Sequence, residues 1–389
     1  MIYLDHAAST PLNADVLQEM LPYLKEQFGN PSSIHRYGRL AHKAIEKARK
    51  QVANLINAEP SEIFFTSGGT ESNNTAISGI MKKFPNSQLI TSAIEHDAIL
   101  EPCRKLKSQD YDVVYLPVDK YGLVSASDLK DTISEKTKLV SIMFGNNEIG
   151  TVQPISEFAI ICHDKNVLLH TDAVQAVGKI PIDVKELGID LLSISSHKIN
   201  GPKGIGALYV KKGISLDPLI FGGGQENGLR SGTENVANIV GFGKACEIAK
   251  NNMHENISNM KQLRDSLISQ VKDQIPSVSL NGHPEKRLPN NSHFTFLGIN
   301  GEDLIIKLDE NNIAASTGSA CSVRTQKASH VLKAMGFSHE QITGSLRMTV
   351  GITNTQDEIN QTVKILKEIV KELRVVSPFK NKYKFEIKN

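Results

Sequence analysis

The chain has 389 residues, of which 40% are hydrophobic and 22% are charged, and its formal net charge is +2. This length corresponds to two or three domains at about 150 residues each, and the composition excludes a disordered protein. The balanced charge argues against a nucleic-acid partner, no run reaches the roughly 18 apolar residues of a membrane helix, and the N-terminus lacks a leader pattern. We therefore expect a cytoplasmic enzyme without a direct nucleic-acid or membrane partner.

The first half of the chain alternates short β-rich runs with helical patterns. Strands are predicted at 62–65, 88–94, 112–118, 138–144, 167–173, 190–196 and 206–212, and helices at about 39–56, after 66, at 97–109 and at 155–165. Apolar runs of this kind between helices indicate a mainly parallel sheet that is covered on both faces.

The second half has a different pattern. A mainly helical stretch covers 235–274, and it is followed by a predicted strand at 293–299, a helix from 301, a strand at 345–351 and a final helix. Thr355 and Glu358 fit a capping box at the start of that last helix. We predict a large domain over 16–255 and a smaller α+β domain made of 1–15 and 256–389.

The four cysteines do not form a C-x-x-C pair, so the sequence predicts free thiols and no metal site. Cys103, Cys162 and Cys246 lie inside apolar-patterned helices, which is typical of buried thiols. Cys321 differs because Gly, Ser and Ala surround it in Gly318–Ser322. A small-residue loop at about 315–328 favours an exposed, reactive thiol.

Three signals follow predicted strands, and each has an ordinary structural explanation when it is considered alone. Ser67–Thr70 is either a phosphate cradle at a helix N-terminus or a glycine-rich turn. Asp172 is either a cofactor partner or a helix cap. Lys198 is either a Schiff-base amine or a solvated lysine. Pyridoxal phosphate needs an anion cradle, a carboxylate and an amine together. The three signals therefore indicate this cofactor.

Two further side chains are candidates for the same site. His96 follows the strand at 88–94, where an imidazole can stack on an aromatic cofactor and move protons. Arg347 lies in an apolar strand, where it is either a clamp on a substrate carboxylate or part of a structural ion pair.

The motifs, taken together and in order, resemble a known family. FTSGGTESNN, the EH at 95–96, NNEIG, HTDAVQAVGK, SSHKINGPKG, GGGQENGLRSGTEN and GSAC resemble the cysteine desulfurases of the NifS/IscS type, group I. The resemblance implies a class-V aminotransferase-like enzyme of PLP fold type I, the aspartate-aminotransferase-like α/β fold. It also implies pyridoxal 5'-phosphate as cofactor and a homodimer.

The resemblance also implies a role for individual residues. Lys198 would be the Schiff-base lysine, His96 would stack on the cofactor ring, and Cys321 would carry the persulfide. Asn147 and Arg347 would bind the substrate carboxylate side. The other cofactor contacts that it implies are Gly69, Thr70, Asn147, Asp172, Gln175, Ser195, His197 and, from the second subunit, Thr233.

The expected reaction converts L-cysteine to L-alanine and leaves the sulfur on Cys321 for an acceptor protein. An iron–sulfur scaffold is the default acceptor, tRNA thiolation and DNA phosphorothioation remain alternatives, and transient iron–sulfur ligation by Cys321 stays open. Competing interpretations are a selenocysteine lyase or an aminotransferase of the same fold, and a non-catalytic sulfur-transfer adaptor. A thiol in the loop argues against a transaminase, and the joint presence of Lys198, Asp172, Arg347 and Cys321 argues against an adaptor.

Overall fold

The computed structural model describes residues 1–317 and 328–377, so Cys321 lies outside the described residues. The helices are α1 (Ala14–Lys25), α2 (Arg36–Leu55), α3 (Gly69–Met81), α4 (Asp97–Lys107), α5 (Ala126–Thr132), α6 (Ile155–His163), α7 (Val236–Asn251), α8 (Met253–Gln274), α9 (Gly301–Glu310), α10 (His330–Ala334), α11 (His339–Thr343) and α12 (Gln356–Val376). The strands are β1 (Ile2–Tyr3), β2 (Ile63–Thr66), β3 (Gln88–Ser92), β4 (Asp112–Leu116), β5 (Thr137–Ser141), β6 (Leu168–Asp172), β7 (Leu191–Ser195), β8 (Gly206–Val210), β9 (Val278–Leu280), β10 (Asn291–Phe296), β11 (Ile313–Ala314) and β12 (Ser345–Thr349).

The main sheet has seven strands in the order β2-β8-β7-β6-β5-β3-β4. β8 runs antiparallel to both of its neighbours, and the other six strands run in one direction. Every residue of β3, β7 and β8 is buried, as expected for strands that helices cover on both faces. The prediction of a mainly parallel sheet is confirmed, and the carboxyl ends of six strands meet at one edge.

A second sheet places β10 between β9 and β12, with antiparallel pairing on both sides. Its buried side chains, among them Phe294 and Leu346, join α8 and α12 in a hydrophobic cluster separate from the one under the main sheet. β1 pairs with β11, so the first residues of the chain also join this cluster. The predicted division into 16–255 and 1–15 with 256–389 stays a prediction, and these separate clusters are consistent with it.

Several local predictions can be compared directly with the structure. The capping box of Thr355 and Glu358 is present at the start of α12. The helical stretch at 235–274 is two helices, because α7 ends and α8 begins around Asn252. α1 was not predicted, since only Val16 and Met20 are buried along its length. None of the helices within the described ranges is long and apolar enough to cross a membrane.

Candidate active site

A cavity of about 450 Å³ lies where the carboxyl ends of the parallel strands meet residues of the second sheet. It brings together ten of the predicted site residues: Gly69, Thr70, His96, Asn147, Asp172, Gln175, Ser195, His197, Lys198 and Arg347. Thr233 is exposed and does not line this cavity. Cys321 is outside the described residues. Ligands in open α/β sheets bind at this edge because loops and helix N-termini converge there.

Lys198 ends a single helical turn, Ser196–Lys198, directly after β7. Its Nζ donates hydrogen bonds to the carbonyl oxygens of Ala7 and Ala8, at 2.6 and 2.8 Å. The N-terminal segment therefore fixes the amine within the cavity, a contact that the sequence patterns did not indicate.

Asp172 ends β6 and is almost completely buried. Its two carboxylate oxygens accept hydrogen bonds from Asn73 Nδ2 at 2.6 Å and from the Val174 N–H at 2.9 Å. Nearby, Gln175 Nε2 donates to the Ala7 carbonyl at 2.8 Å. The carboxylate has one fixed orientation, because α3 supplies Asn73 and the following turn supplies the N–H.

The cavity also contains backbone N–H groups suited to an anion, at the start of α3. α3 begins at Gly69, and the preceding Gly68 has φ +151°, which only glycine adopts without strain. The first N–H groups of a helix lack partners within the helix and attract phosphate. Ser195 and His197 line the same region, so hydroxyl and imidazole groups supplement the helix N-terminus.

His197 is held in its neutral form by its surroundings. Burial, followed by the charges of Lys198, Lys203 and Lys179, lowers its pKa to about 4. Its Nδ1 lies 3.2 Å from the hydroxyl of Ser9. A neutral imidazole of this kind can donate one hydrogen bond without adding a charge.

His96 occupies the N-cap position of α4, where its Nδ1 accepts the Ala98 N–H at 3.0 Å. The proton of the neutral ring is therefore on Nε2. The preceding residue, Glu95, is fully buried and accepts hydrogen bonds from Ser92 and from the Met143 N–H at 2.6 and 2.9 Å. Burial raises the pKa of Glu95 to about 8, although the hydrogen bonds from Ser92 and Met143 lower it. These hydrogen bonds to the buried side chain fix the turn before His96.

Arg347 lies in β12 with only 3% of its side chain exposed. Its Nη1 donates to the Asn147 carbonyl at 2.8 Å, and its Nη2 donates to Asp5 Oδ1 at 2.7 Å. Asp5 thus orients the guanidinium. The position of Asp5 early in the chain gave no signal of this role, because the contact joins residues 342 positions apart.

Both described ends of the segment that contains Cys321 lie beside the cavity. Ser316 pairs with Arg347 through the backbone, and Ala328, Ser329 and His330 line the cavity. Ser329 Oγ donates to Glu148 Oε2 at 2.6 Å, and His330 Nε2 donates to the Glu95 carbonyl at 2.8 Å.

Glu148 and His330 were not predicted as site residues, because their placement depends on contacts with distant parts of the chain. Burial raises the pKa of Glu148, while the hydrogen bond from Ser329 opposes that rise.

Cys103, Cys162 and Cys246 are free and buried, as predicted. Burial raises the pKa of Cys103 and Cys162 to about 12, which makes them inert at neutral pH. In the described part of the chain, no group of three or more His, Cys, Asp or Glu side chains could hold a metal ion.

Comparisons with known proteins agree with the geometry. The profile of the family described as aminotransferase class-V matches residues 2–362. A cysteine desulfurase IscS of Dictyoglomus turgidum is 49% identical, with 100% of this chain and 99% of the relative covered. A cysteine desulfurase IscS of Methanosarcina thermophila is 50% identical, with 97% and 94% covered.

Solved structures give the same result. One described as a NIFS-like protein is 40% identical with a TM-score of 0.90, and the match covers 96% of this chain and 100% of that one. Another, described as SspA in complex with cysteine, is 39% identical with a TM-score of 0.82 and covers 91% and 100%.

Proposed function

Because the chain belongs to the aminotransferase class-V family and, within it, to the cysteine desulfurases, we propose that the cavity around Lys198 removes sulfur from L-cysteine and delivers it to Cys321. One observation carries this proposal: the amine of Lys198, the carboxylate of Asp172 and the guanidinium of Arg347 line a single cavity. That set would serve an amino-acid substrate bound beside a basic aromatic cofactor.

The family depends on pyridoxal phosphate, and the residues present fit it. The open N-terminus of α3 at Gly69 suits the phosphate, and the oriented carboxylate of Asp172 suits a ring nitrogen that carries a proton. The cavity volume is also in the range of small-molecule sites, roughly 300–1,000 Å³. When bound, the cofactor supplies an electron sink for the electron pair left after a bond at the substrate α-carbon breaks.

We assign proton transfer to Lys198 and His96. The amine of Lys198 would attach the cofactor at rest and, once released, remove the proton from the α-carbon of cysteine. Its two carbonyl acceptors, Ala7 and Ala8, limit where the amine can move. The Nε2–H of His96 would hold a proton at the face of the ring, because the Ala98 N–H occupies Nδ1.

Arg347 and Asn147 would orient the substrate. A guanidinium that is 3% exposed and bonded to Asp5 is held in a fixed plane, and a planar guanidinium is suited to recognise a carboxylate. Placing the carboxylate fixes which bond at the α-carbon faces Lys198.

The sulfur acceptor in this scheme is the thiolate of Cys321. It attacks the substrate sulfur, a new S–S bond forms and the Cβ–S bond breaks with its electron pair remaining on the substrate carbon. That carbon gains a proton and the product is L-alanine. The positions of Ser316 and Ala328 at the cavity support this role, since the chain leaves and returns beside the substrate.

The decisive test compares Cys321→Ala with Cys103→Ala after incubation with sulfur-labelled L-cysteine. Cys321→Ala should keep the yellow colour of the bound cofactor and lose the protein-bound label. Cys103→Ala should keep both, because Cys103 is a buried thiol with a raised pKa. Unchanged labelling of Cys321→Ala would refute the assignment of the persulfide to this residue.

We further propose a homodimer in which Thr233 of one subunit completes the phosphate site of the other. The exposure of Thr233 and its position outside the cavity of its own chain support this role. Mixing equal amounts of Lys198→Ala and Thr233→Ala subunits should restore about a quarter of full activity. About half of the dimers are then heterodimers, and one of the two sites in each heterodimer contains both groups. No restoration on mixing, with dimers present, would contradict a shared site.

The persulfide would pass to a cytoplasmic sulfur-acceptor protein, for which we propose an iron–sulfur scaffold. The free thiols of Cys103, Cys162 and Cys246 are consistent with a reducing compartment. Transfer of label from Cys321 to a co-purifying scaffold would support this acceptor. Transfer only to a tRNA-modifying or DNA-modifying partner would replace it.

A further inference from the structure

Lys179 is a buried cation that the proposed reaction does not use. It lies in the turn after β6 and is only 5% exposed. Its Nζ donates hydrogen bonds to the carbonyl oxygens of Gln175 and Lys198, at 3.1 and 3.3 Å. Among residues 1–317 and 328–377, no carboxylate lies within ion-pair distance of it. A buried ammonium group without a carboxylate is costly, so its retention calls for a specific reason.

The two carbonyl groups that Lys179 contacts belong to residues at the cofactor site. Gln175 and Lys198 both line the large cavity. Lys179 itself lies on the other side of this backbone, in a small cavity of about 40 Å³ that is also lined by His6 and Lys198. Lys179 therefore joins the turn after β6 to the turn after β7 from behind the cofactor site.

We infer that Lys179 is a positioning residue that fixes the backbone at Gln175 and Lys198 and whose positive charge favours the neutral form of the nitrogen of Lys198. The inference rests on the proposed function, in which Lys198 is the Schiff-base lysine.

Electrostatics supports the second part of this inference. Burial lowers the pKa of Lys179 to about 7, and the charge of Lys198 is the next cause. The repulsion between two cations is mutual, so Lys179 disfavours a proton on Lys198 as much as Lys198 disfavours one on Lys179. A neighbouring cation is a recognised way to keep a catalytic lysine neutral and nucleophilic.

The imidazoles of His6 and His197 are the neighbouring titratable groups on which the charge of Lys179 acts. His6 has its pKa lowered to about 4, first by burial and then by the charge of Lys179. His197 has its pKa lowered to about 4 by burial, Lys198, Lys203 and Lys179, in that order. Both imidazoles are neutral at pH 7, so neither of them adds a charge that offsets the charge of Lys179.

The experiment uses the holoenzyme and follows the visible absorption band of the protonated Schiff base at Lys198. It measures the pH midpoint at which this band is lost as the pH is raised. Two variants separate charge from hydrogen bonding: Lys179→Gln removes the charge and keeps a donor, and Lys179→Met removes both. Lys165→Met is the matched control, because Lys165 is exposed, lines neither cavity and has its charge screened by solvent.

Both Lys179 variants should raise the midpoint by about one pH unit, the lower end of the effect of a neighbouring charge, because Lys179 is only partly protonated near pH 7. Lys179→Met should also release the cofactor faster, since the backbone at Lys198 is no longer fixed. If Lys179→Met does not fold, Lys179→Gln carries the test.

Midpoints that match the wild type in the Lys179 variants, or that shift no more than in Lys165→Met, would overturn the inference while leaving the proposed function intact. A wild-type protein that shows no visible band after reconstitution would instead overturn the proposed function, and this inference with it.

Discussion

Asp5→Ala tests whether the N-terminal segment orients Arg347, for which we propose a role in substrate binding. In the structure, Asp5 Oδ1 accepts one short hydrogen bond from Arg347 Nη2, at 2.7 Å. The Asp5 side chain is 18% exposed and the Arg347 side chain is 3% exposed. Two effects of the carboxylate oppose each other: it holds the guanidinium in one orientation, and its negative charge repels the carboxylate of the substrate.

The magnitudes indicate that orientation is the larger effect. A hydrogen bond to a charged group contributes about 1.5–3 kcal/mol, and about 1.4 kcal/mol corresponds to a factor of ten in binding. The repulsion acts over a longer distance and is weakened by the water that reaches Asp5. Asp5→Ala should therefore raise the KM for L-cysteine by about tenfold or more.

The assay is alanine formation at varied L-cysteine concentration, with the visible spectrum as a check that the cofactor site is intact. Because the contact is made before and during the reaction, kcat should stay within about twofold of the wild type. Asp5→Asn is the control, since its amide oxygen still accepts the hydrogen bond, and it should raise KM much less. An unchanged KM in Asp5→Ala, or a fall in kcat alone, would refute the reasoning.

Three further predictions concern stability and cofactor binding. Glu226→Ala removes the buried carboxylate that pairs with Arg49, which keeps the partly exposed Glu46 as an acidic partner, and should cost about 3 kcal/mol in urea unfolding. Glu19→Ala removes an exposed ion pair and should cost under about 1 kcal/mol. Burial lowers the pKa of His170 to about 3, so its neutral form contributes stability above the unfolded value of about 6.5 that is lost as the pH falls toward 3. In His170→Gln, the urea midpoint should fall less steeply between about pH 6.5 and 4 than in the wild type, whereas the exposed control His339→Gln should behave like the wild type. An equal slope of urea midpoint against pH in all three proteins would exclude His170 as a contributor. Gly69→Ala should fold but lose the cofactor on dialysis, because the added Cβ would lie 2.7 Å from Val174 Cγ2 and shift the phosphate loop; full retention would contradict that role for the loop.

Some expectations could be read from the sequence because each depends on a short stretch of chain. Apolar β-rich runs between helices predicted the parallel sheet, and strand ends predicted that Asp172, Ser195 and His96 would share an edge. These predictions succeed because parallel strands place their carboxyl ends at the same edge of the sheet. The direction of β8 was not accessible, since an apolar strand has the same pattern in either orientation.

By itself, the sequence determined the fold class, the cofactor signals and ten of the residues that line the cavity. Only the tertiary structure decided that Asp5 bonds Arg347, that the Ala7 and Ala8 carbonyls hold Lys198, and that Lys179 donates to the carbonyl of Lys198. Each of these contacts joins segments far apart in the chain or depends on a buried charge whose partner is a backbone carbonyl. Local sequence patterns do not predict such contacts. Backbone groups are the same at nearly every position, and long-range packing determines which of them a side chain contacts.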